Sequence, residues 1–223
     1  MPSATPALEM RVTSERVDMA WDTEGTKRRI LLAATAEFAT HGPDGTTIER
    51  IAKTAGVNKE RVYNYFGDKR SLFAAVLRNE LAEVARAVPA ESFAREDIGD
   101  YAGLVYDYHR ERPELIRLMR WEGLAFADEV PDEALRREHY GYKTTAVKRG
   151  QEAGAITRDL TAEHIMLLVL SLAGWWATVP QVARMLCGPP TEDEHRSRRA
   201  AVVEAARRLA APAPGHVSDP GSR

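Results

Sequence analysis

The stretch from Thr46 to Lys69, TTIERIAKTAGVNKERVYNYFGDK, constrains this chain more than any other. Ile51 and Ala55 lie four apart and share one helical face. Ala52 sits where two helices must approach closely, and Gly56 supplies the positive φ that a sharp turn needs. Val57 and Val62 then fill the space between the helices. The small–Gly–apolar spacing of Ala52, Gly56 and Val62 is that of a helix-turn-helix, which presents its second helix to the DNA major groove. Thr46 and Glu49 match the S/T-x-x-E capping box that would start the first of these helices.

The flanks extend the pattern. From Thr26 to His41, Ile30, Ala34 and Phe38 recur every four residues with Ala33 beside them, so one apolar stripe faces a core. After the second helix, Gly67 and Asp68 break the chain, and Asp68 can cap a new helix that turns Leu72, Phe73 and Val76 inward. On these residues, together with Leu31, Gly45, Thr47, Tyr63, Tyr65, Phe66 and Lys69, the segment from Thr26 to about Leu77 resembles the DNA-binding domain of the tetracycline-repressor (TetR) family. Tyr65 stands where that family usually has histidine, and Glu60 where a small residue is common.

Charge is distributed as a phosphate-facing module requires. The whole chain carries a formal net charge of −2, yet Lys27 to Arg70 holds nine Lys and Arg against five Asp and Glu. The one cysteine, Cys187, excludes an intrachain disulfide and fits a reducing compartment. No signal-peptide pattern opens the chain, and the longest apolar run, Ile165 to Ala177, is too short to span a bilayer. The expectation is a soluble, cytoplasmic protein with no membrane partner.

The rest of the sequence reads as helices: Asp68 to about Val88, Ile98 to Glu111, Pro113 to about Phe126, Pro131 to near Gly154, Thr161 to about Met185 with a kink or break at Pro180, and Thr191 to about Ala211. Almost nothing reads as strand. The predicted fold is all-α, with residues 1–24 a flexible N-terminal tail, 25–70 a three-helix DNA-binding domain, 71–211 a larger helical domain for dimerisation and ligand sensing, and 212–223 a flexible C-terminal tail. Arg11 and Arg16 are candidates for a minor-groove arm, against the plainer reading of a disordered tail.

Candidate DNA contacts are Thr47, Asn58, Lys59, Arg61, Tyr63, Asn64, Tyr65 and Lys69. Lys59, Arg61 and Asn64 have the reach and donors to meet base edges, Arg favouring guanine and Asn adenine. Tyr63 and Tyr65 can reach phosphates or pack between helices. The family resemblance implies phosphate contacts for Thr47, Tyr63, Tyr65 and Lys69. Lys69 also stands at a helix N-terminus, which favours an anion.

The resemblance also implies a homodimer formed by the last two long helices, reading a two-fold symmetric double-stranded operator. Leu168, Leu172 and Trp176 on one helix and Val202, Ala206 and Leu209 on the next supply apolar stripes for it; an intramolecular core would use the same stripes. Trp121, Trp175, Tyr106, Tyr140 and Met119 are aromatic or sulfur-bearing residues that fit either a core or a pocket wall, and His109, Arg120 and Glu122 are polar neighbours able to orient a ligand. A cavity between the helices bearing Trp121, Tyr106 and Trp175 is expected, for a small hydrophobic effector that releases DNA. His109 beside Glu111 reads more simply as a surface pair. No nucleophile elbow, phosphate loop, dinucleotide fingerprint or paired metal-ligand histidines occur, so neither an enzyme nor a metal or cofactor is expected. A DNA-binding dimer without a small-molecule effector is the alternative.

Overall fold

The computed structural model describes residues 6–126 and 129–212, with side chains from Thr23 onward; all regular structure among them is helical. Arg11, Arg16 and Trp21 lie outside the described side chains. Ten helices follow in order: α1 (Pro6–His41), α2 (Ile48–Ala55), α3 (Lys59–Phe66), α4 (Lys69–Ala87), α5 (Ile98–Glu111), α6 (Pro113–Ala125), α7 (Glu133–Glu152), α8 (Ala162–Thr178), α9 (Pro180–Cys187) and α10 (Glu192–Ala210). The α1 backbone is already helical at Pro6, so most of the segment expected as a tail continues the first helix.

Side-chain caps set most helix starts. Thr47, Asn58, Asp68, Asp97, Thr161 and Thr191 each accept a backbone N–H two or three residues into the helix that follows. The cap is displaced by one residue from the sequence expectation, and with Arg50 three residues after it the Thr46–Glu49 capping box does not form. Thr47, not Thr46, caps α2 by accepting the Arg50 N–H at 3.2 Å. Thr46 is buried and its hydroxyl donates to Glu37 at 2.9 Å. A core position and a surface cap stand side by side, and a capping pattern alone does not distinguish them. Gly56, at φ 66°, closes the turn to α3.

Pro180 ends one helix and starts another. α8 and α9 meet at 84°, because the proline ring cannot continue the α8 hydrogen-bond ladder but suits the first turn of α9. Among the described residues no single helix is long and apolar enough to cross a membrane.

Two hydrophobic clusters hold the chain together. The first joins Ile30, Ala34 and Phe38 of α1 to Ile51, Ala52 and Val62 of the helix-turn-helix and to Leu72, Phe73 and Val76 of α4; Leu115 and Leu118 of α6 and Phe126 complete it. The Phe73 ring packs edge-on to Phe38 and stacks with Phe126, at centroid distances of 5.3 and 5.2 Å. Truncating a fully buried aromatic of this kind costs about 3–5 kcal/mol. Within the same helical stripe lies a carboxylate, Glu80. It accepts from the Thr35 hydroxyl of α1 at 3.5 Å and from Arg112 between α5 and α6 at 3.2 Å, so its polar atoms are satisfied despite burial.

The second cluster packs α5 against α8 and α10, with Ala146 and Val147 of α7 closing one side. α5 and α10 meet at small residues. A Cβ on Gly99 would stand 2.6 Å from the Val203 carbonyl oxygen, and one on Gly103 2.9 Å from the Val203 side chain. Asp97 and Asp100 then pair with Arg207 at 3.0 and 2.9 Å along the edge of that contact.

Candidate DNA interface and ligand cavities

α3 is anchored by one side chain and leaves the rest of its first two turns in solvent. Val62 is buried in the first core, where α3 meets α2 and α4, whereas Lys59, Arg61, Tyr63 and Asn64 are exposed. Lys59 lies 3.7 Å from Glu49 of α2, an exposed pair that water screens and a phosphate could displace. The Arg61 guanidinium has no ion-pair partner among the described residues. Tyr65 is half-buried in the first core with the Lys27 ammonium 5.9 Å from its ring centroid, so packing takes most of its surface. Thr47 and Asn58 serve as N-caps: the Asn58 side chain accepts the Arg61 N–H at 3.0 Å, which commits that oxygen to α3 itself.

Lys69 reaches back across the domain. Its ammonium donates to the Thr46 carbonyl at 3.3 Å and approaches Asp44 at 3.9 Å. The N-terminal turn of α4, expected to attract an anion, already holds one. The Asp68 carboxylate accepts the Ser71 N–H at 2.7 Å, and that bond holds its pKa below the usual carboxylate value.

Two cavities in the C-terminal half take residues expected to bind a ligand. The first, about 580 Å³, lies beneath α4. Leu81 and Val84 of α4 and its C-cap residue Val88 form one side of it, and Tyr101, Val105, Met119, Met166 and Leu170 carry its apolar lining round through α5, α6 and α8. The second, about 590 Å³, is a cleft among α5, α6, α8, α9 and α10, lined by Tyr106, Trp176 and His195 and by Arg110, Arg117, Arg120, Arg184 and Arg198. His109 borders both.

The residues expected to share one pocket therefore separate. His109, Met119, Tyr140 and Trp175 line the first cavity; Tyr106, His109 and Arg120 line the second; Trp121 and Glu122 line neither. Trp121 packs on the first core, with its ring against Gly42 at the end of α1. Glu122 is held by Arg136 of α7, one oxygen accepting from Nη2 at 3.0 Å. On α6, the two-residue step from Met119 to Trp121 turns the helix by about 200°, enough to send Met119 to the cavity and Trp121 to the DNA-binding helices. Nor is His109 a surface residue. It is buried, its Nδ1 has no hydrogen-bond partner, and burial lowers its pKa to about 4.

The expected dimer stripe divides in the same way. Val202 and Ala206 are buried within the protomer, in the core with α5 and α8. Trp176 lines the second cleft beneath the Arg198 guanidinium, 5.2 Å from its ring. Leu172 and Leu209 are half-buried at the rim of the second core, and Leu168 is exposed.

Lys143 of α7 is a cavity residue that the sequence reading overlooked. It lines the first cavity between Tyr140 and Thr144, and burial depresses its pKa. Its signal was present: Tyr140, Lys143, Val147 and Gly150 recur at helical spacing, which puts a lysine on an otherwise inward face.

Comparison with known proteins agrees with this architecture. Residues 30–76 match the family model described as bacterial regulatory proteins, tetR family, and residues 97–208 match the tetracyclin repressor-like C-terminal domain. The chain is 44% identical over 170 residues to the HTH-type transcriptional repressor SCO4008 of Streptomyces coelicolor, covering 76% of this chain and 87% of that protein. It is 31% identical over 180 residues to the HTH-type transcriptional regulator RutR of Escherichia coli, covering 75% and 81% of the two chains. A crystal structure of the putative transcriptional regulator SCO4942 from Streptomyces coelicolor superposes with a TM-score of 0.70 at 32% identity, covering 83% of this chain and 98% of that one. With an exposed polar face on α3, an all-helical body behind it and these matches across both halves, the chain belongs to the tetR family of bacterial regulatory proteins and is a DNA-binding transcriptional regulator.

Proposed function

We propose that this protein is a repressor that binds a palindromic operator as a homodimer and leaves it when a small hydrophobic molecule enters the cavity beneath α4. The observation that carries this reading is the position of α4. Only two residues separate it from α3, and its side chains Leu81 and Val84 line the cavity together with its C-cap residue Val88. A molecule that pushes on those residues moves the helix from which the DNA-reading unit hangs. Release then requires only that the ligand bind the displaced arrangement more tightly than the operator-bound one.

Base reading is assigned to Lys59, Arg61 and Asn64, and phosphate contact to Tyr63 and Lys69. The homodimer is assigned to α8 and α10 through Leu168 and the half-buried Leu172 and Leu209. The names of SCO4008 and of the repressor NicS of Pseudomonas putida, 29% identical over 176 residues, support repression as the sign of control. Work on bacterial DNA supports a cytoplasmic location.

The test is selection of bound duplexes from a random library, followed by mobility shift of the winning site across a panel of apolar metabolites. The expected result is an inverted repeat bound by two chains and released by at least one compound. An asymmetric single site would sink the dimer model, and an operator complex indifferent to the whole panel would favour a dimer without a small-molecule effector.

A further inference from the structure

We propose that the cavity beneath α4 is built for a hydrophobic molecule bearing one negative charge, a carboxylate or sulfonate on an apolar body, with Lys143 as its counter-ion. The inference rests on the reading of this cavity as the effector site and narrows the class of effector.

Lys143 is the starting point. Its ammonium lies 6.0 Å from the Tyr101 ring centroid and 5.8 Å from that of Tyr140, and no carboxylate pairs with it among the described residues. Glu163, the one acid in the lining, is taken by Lys148 at 2.9 Å and stands half out in solvent. A half-buried cation set among rings is costly unless an anion compensates it. Aromatic faces recover only part of that cost. The depressed pKa of Lys143, caused by burial, reflects the same deficit.

Two further polar atoms, on residues that line this cavity, have no partner. The Tyr101 hydroxyl and the His109 Nδ1 are both buried and make no hydrogen bond, and both residues are more than nine-tenths buried. Buried polar atoms left unsatisfied are uncommon and call for a cause. An oxyanion supplies one for the pair: the phenol donates, and neutral imidazole donates from Nδ1 in the tautomer that carries its proton there. Together with the Lys143 ammonium the cavity offers donors and a positive charge, while half of its lining is Leu, Val, Ile and Met side chains and the hydroxyls of Thr144, Ser171 and Thr178 donate to carbonyls of their own helices. A cationic ligand would meet Lys143 with no acid free to answer it. A neutral ligand would leave the ammonium as it is.

The second cleft also carries positive charge, but its arginines at 110, 117, 120 and 184 are exposed to solvent, where ion pairing contributes little. It serves as the internal control.

The experiment uses two probes with the same ring system: the anion 1-anilinonaphthalene-8-sulfonate and its neutral parent N-phenyl-1-naphthylamine. Binding of each to the full-length protein is followed by fluorescence titration. Wild type should prefer the anion. Lys143→Met should erase the preference by weakening the sulfonate about tenfold or more while leaving the neutral probe's affinity unchanged. Lys143→Arg should keep it. Arg117→Ala with Arg184→Ala should also keep it, and loss of the preference in that variant would move the anion site to the other cleft and overturn the proposal. So would an unchanged preference in Lys143→Met, or failure of both probes to bind wild type. Should Lys143→Met misfold, the neutral probe reports it and Lys143→Gln takes its place. Whether the bound probe releases operator is read separately by mobility shift; that result bears on the release mechanism alone.

Discussion

The Trp121 ring lies against Gly42 so closely that a Cβ at position 42 would stand 2.8 Å from it. Gly42 ends α1 at φ 72°, and Trp121 belongs to α6, so this contact joins the DNA-reading helices to the body that holds the cavities. Gly42→Ala meets both a steric and a backbone penalty and should destabilise the fold by about 2 kcal/mol. In Gly42→Ala with Trp121→Ala the two costs should sum to more than the double variant loses, because removing the ring opens space for the methyl. Urea unfolding of the four proteins measures this, and strict additivity would mean the contact is not tight.

Trp121→Ala should also alter the response to effector without touching the ligand, since Trp121 lines neither cavity. Effector affinity by calorimetry should stay within about twofold of wild type, while operator release shifts to higher effector concentration. A loss of effector affinity itself would place the ring in the binding site after all.

Leu168 and Val202 separate assembly from folding. Leu168 is exposed on α8, so Leu168→Asp should give a folded monomer with weakened operator binding. Val202 is 2% exposed and packs on α5 and α8, so Val202→Asp buries a carboxylate and should unfold the domain. Sedimentation and circular dichroism of both variants decide the matter. A dimeric Leu168→Asp would exclude that face from the interface.

On DNA, Lys69→Met should lower affinity for operator and random duplex alike and make the log-affinity versus log-salt slope shallower by about one. Tyr63→Phe should cost about 1 kcal/mol on both duplexes with the slope unchanged, because a phenol releases no counterion. Arg61→Ala should lose affinity mainly for operator. If Lys69→Met instead lowers stability as much as affinity, its bond to the Thr46 carbonyl is its main role.

Stability should depend on pH through His109. Its pKa is about 4 in the folded protein because burial disfavours the imidazolium, against 6.5 unperturbed. The unfolded chain therefore binds more protons between those values. Stability is full above about pH 6.5, falls as pH drops from there toward 4 and levels off below it, with about 2 kcal/mol gone by pH 5. Glu80, whose pKa is raised by burial, works in the opposite sense at low pH, so the comparison is between wild type and His109→Gln. The variant should lose less stability between pH 7 and pH 5; equal losses would show that His109 is not held neutral.

The parts legible in the sequence were those governed by local chemistry. Ala52, Gly56 and Val62 fixed the turn, Asp68 the start of α4, and Pro113 the start of α6. Pro180 marked a break, although its 84° angle depends on what α9 packs against. Periodicity assigned inward faces but not their partners. It grouped Val202 with Leu168 as one seam, yet the α5 glycines let α10 settle so closely that Val202 is spent inside the protomer. It placed Trp121 inward and could not say toward which core. Lys143 escaped for the converse reason: among aromatic and apolar candidates a lysine draws no notice, although its neighbours at helical spacing point in.

The first core draws side chains from α1, α2 and α4 and also from α6, beyond the expected boundary near residue 70. A chimera that grafts residues 25–70 onto another sensor body would arrive without Leu115, Leu118 and Phe126, and with Gly42 facing a stranger. Exchanging specificities within this family would thus mean transplanting the underside of the sensor along with the reading head. Natural recombination between the two halves should succeed only where that underside happens to match.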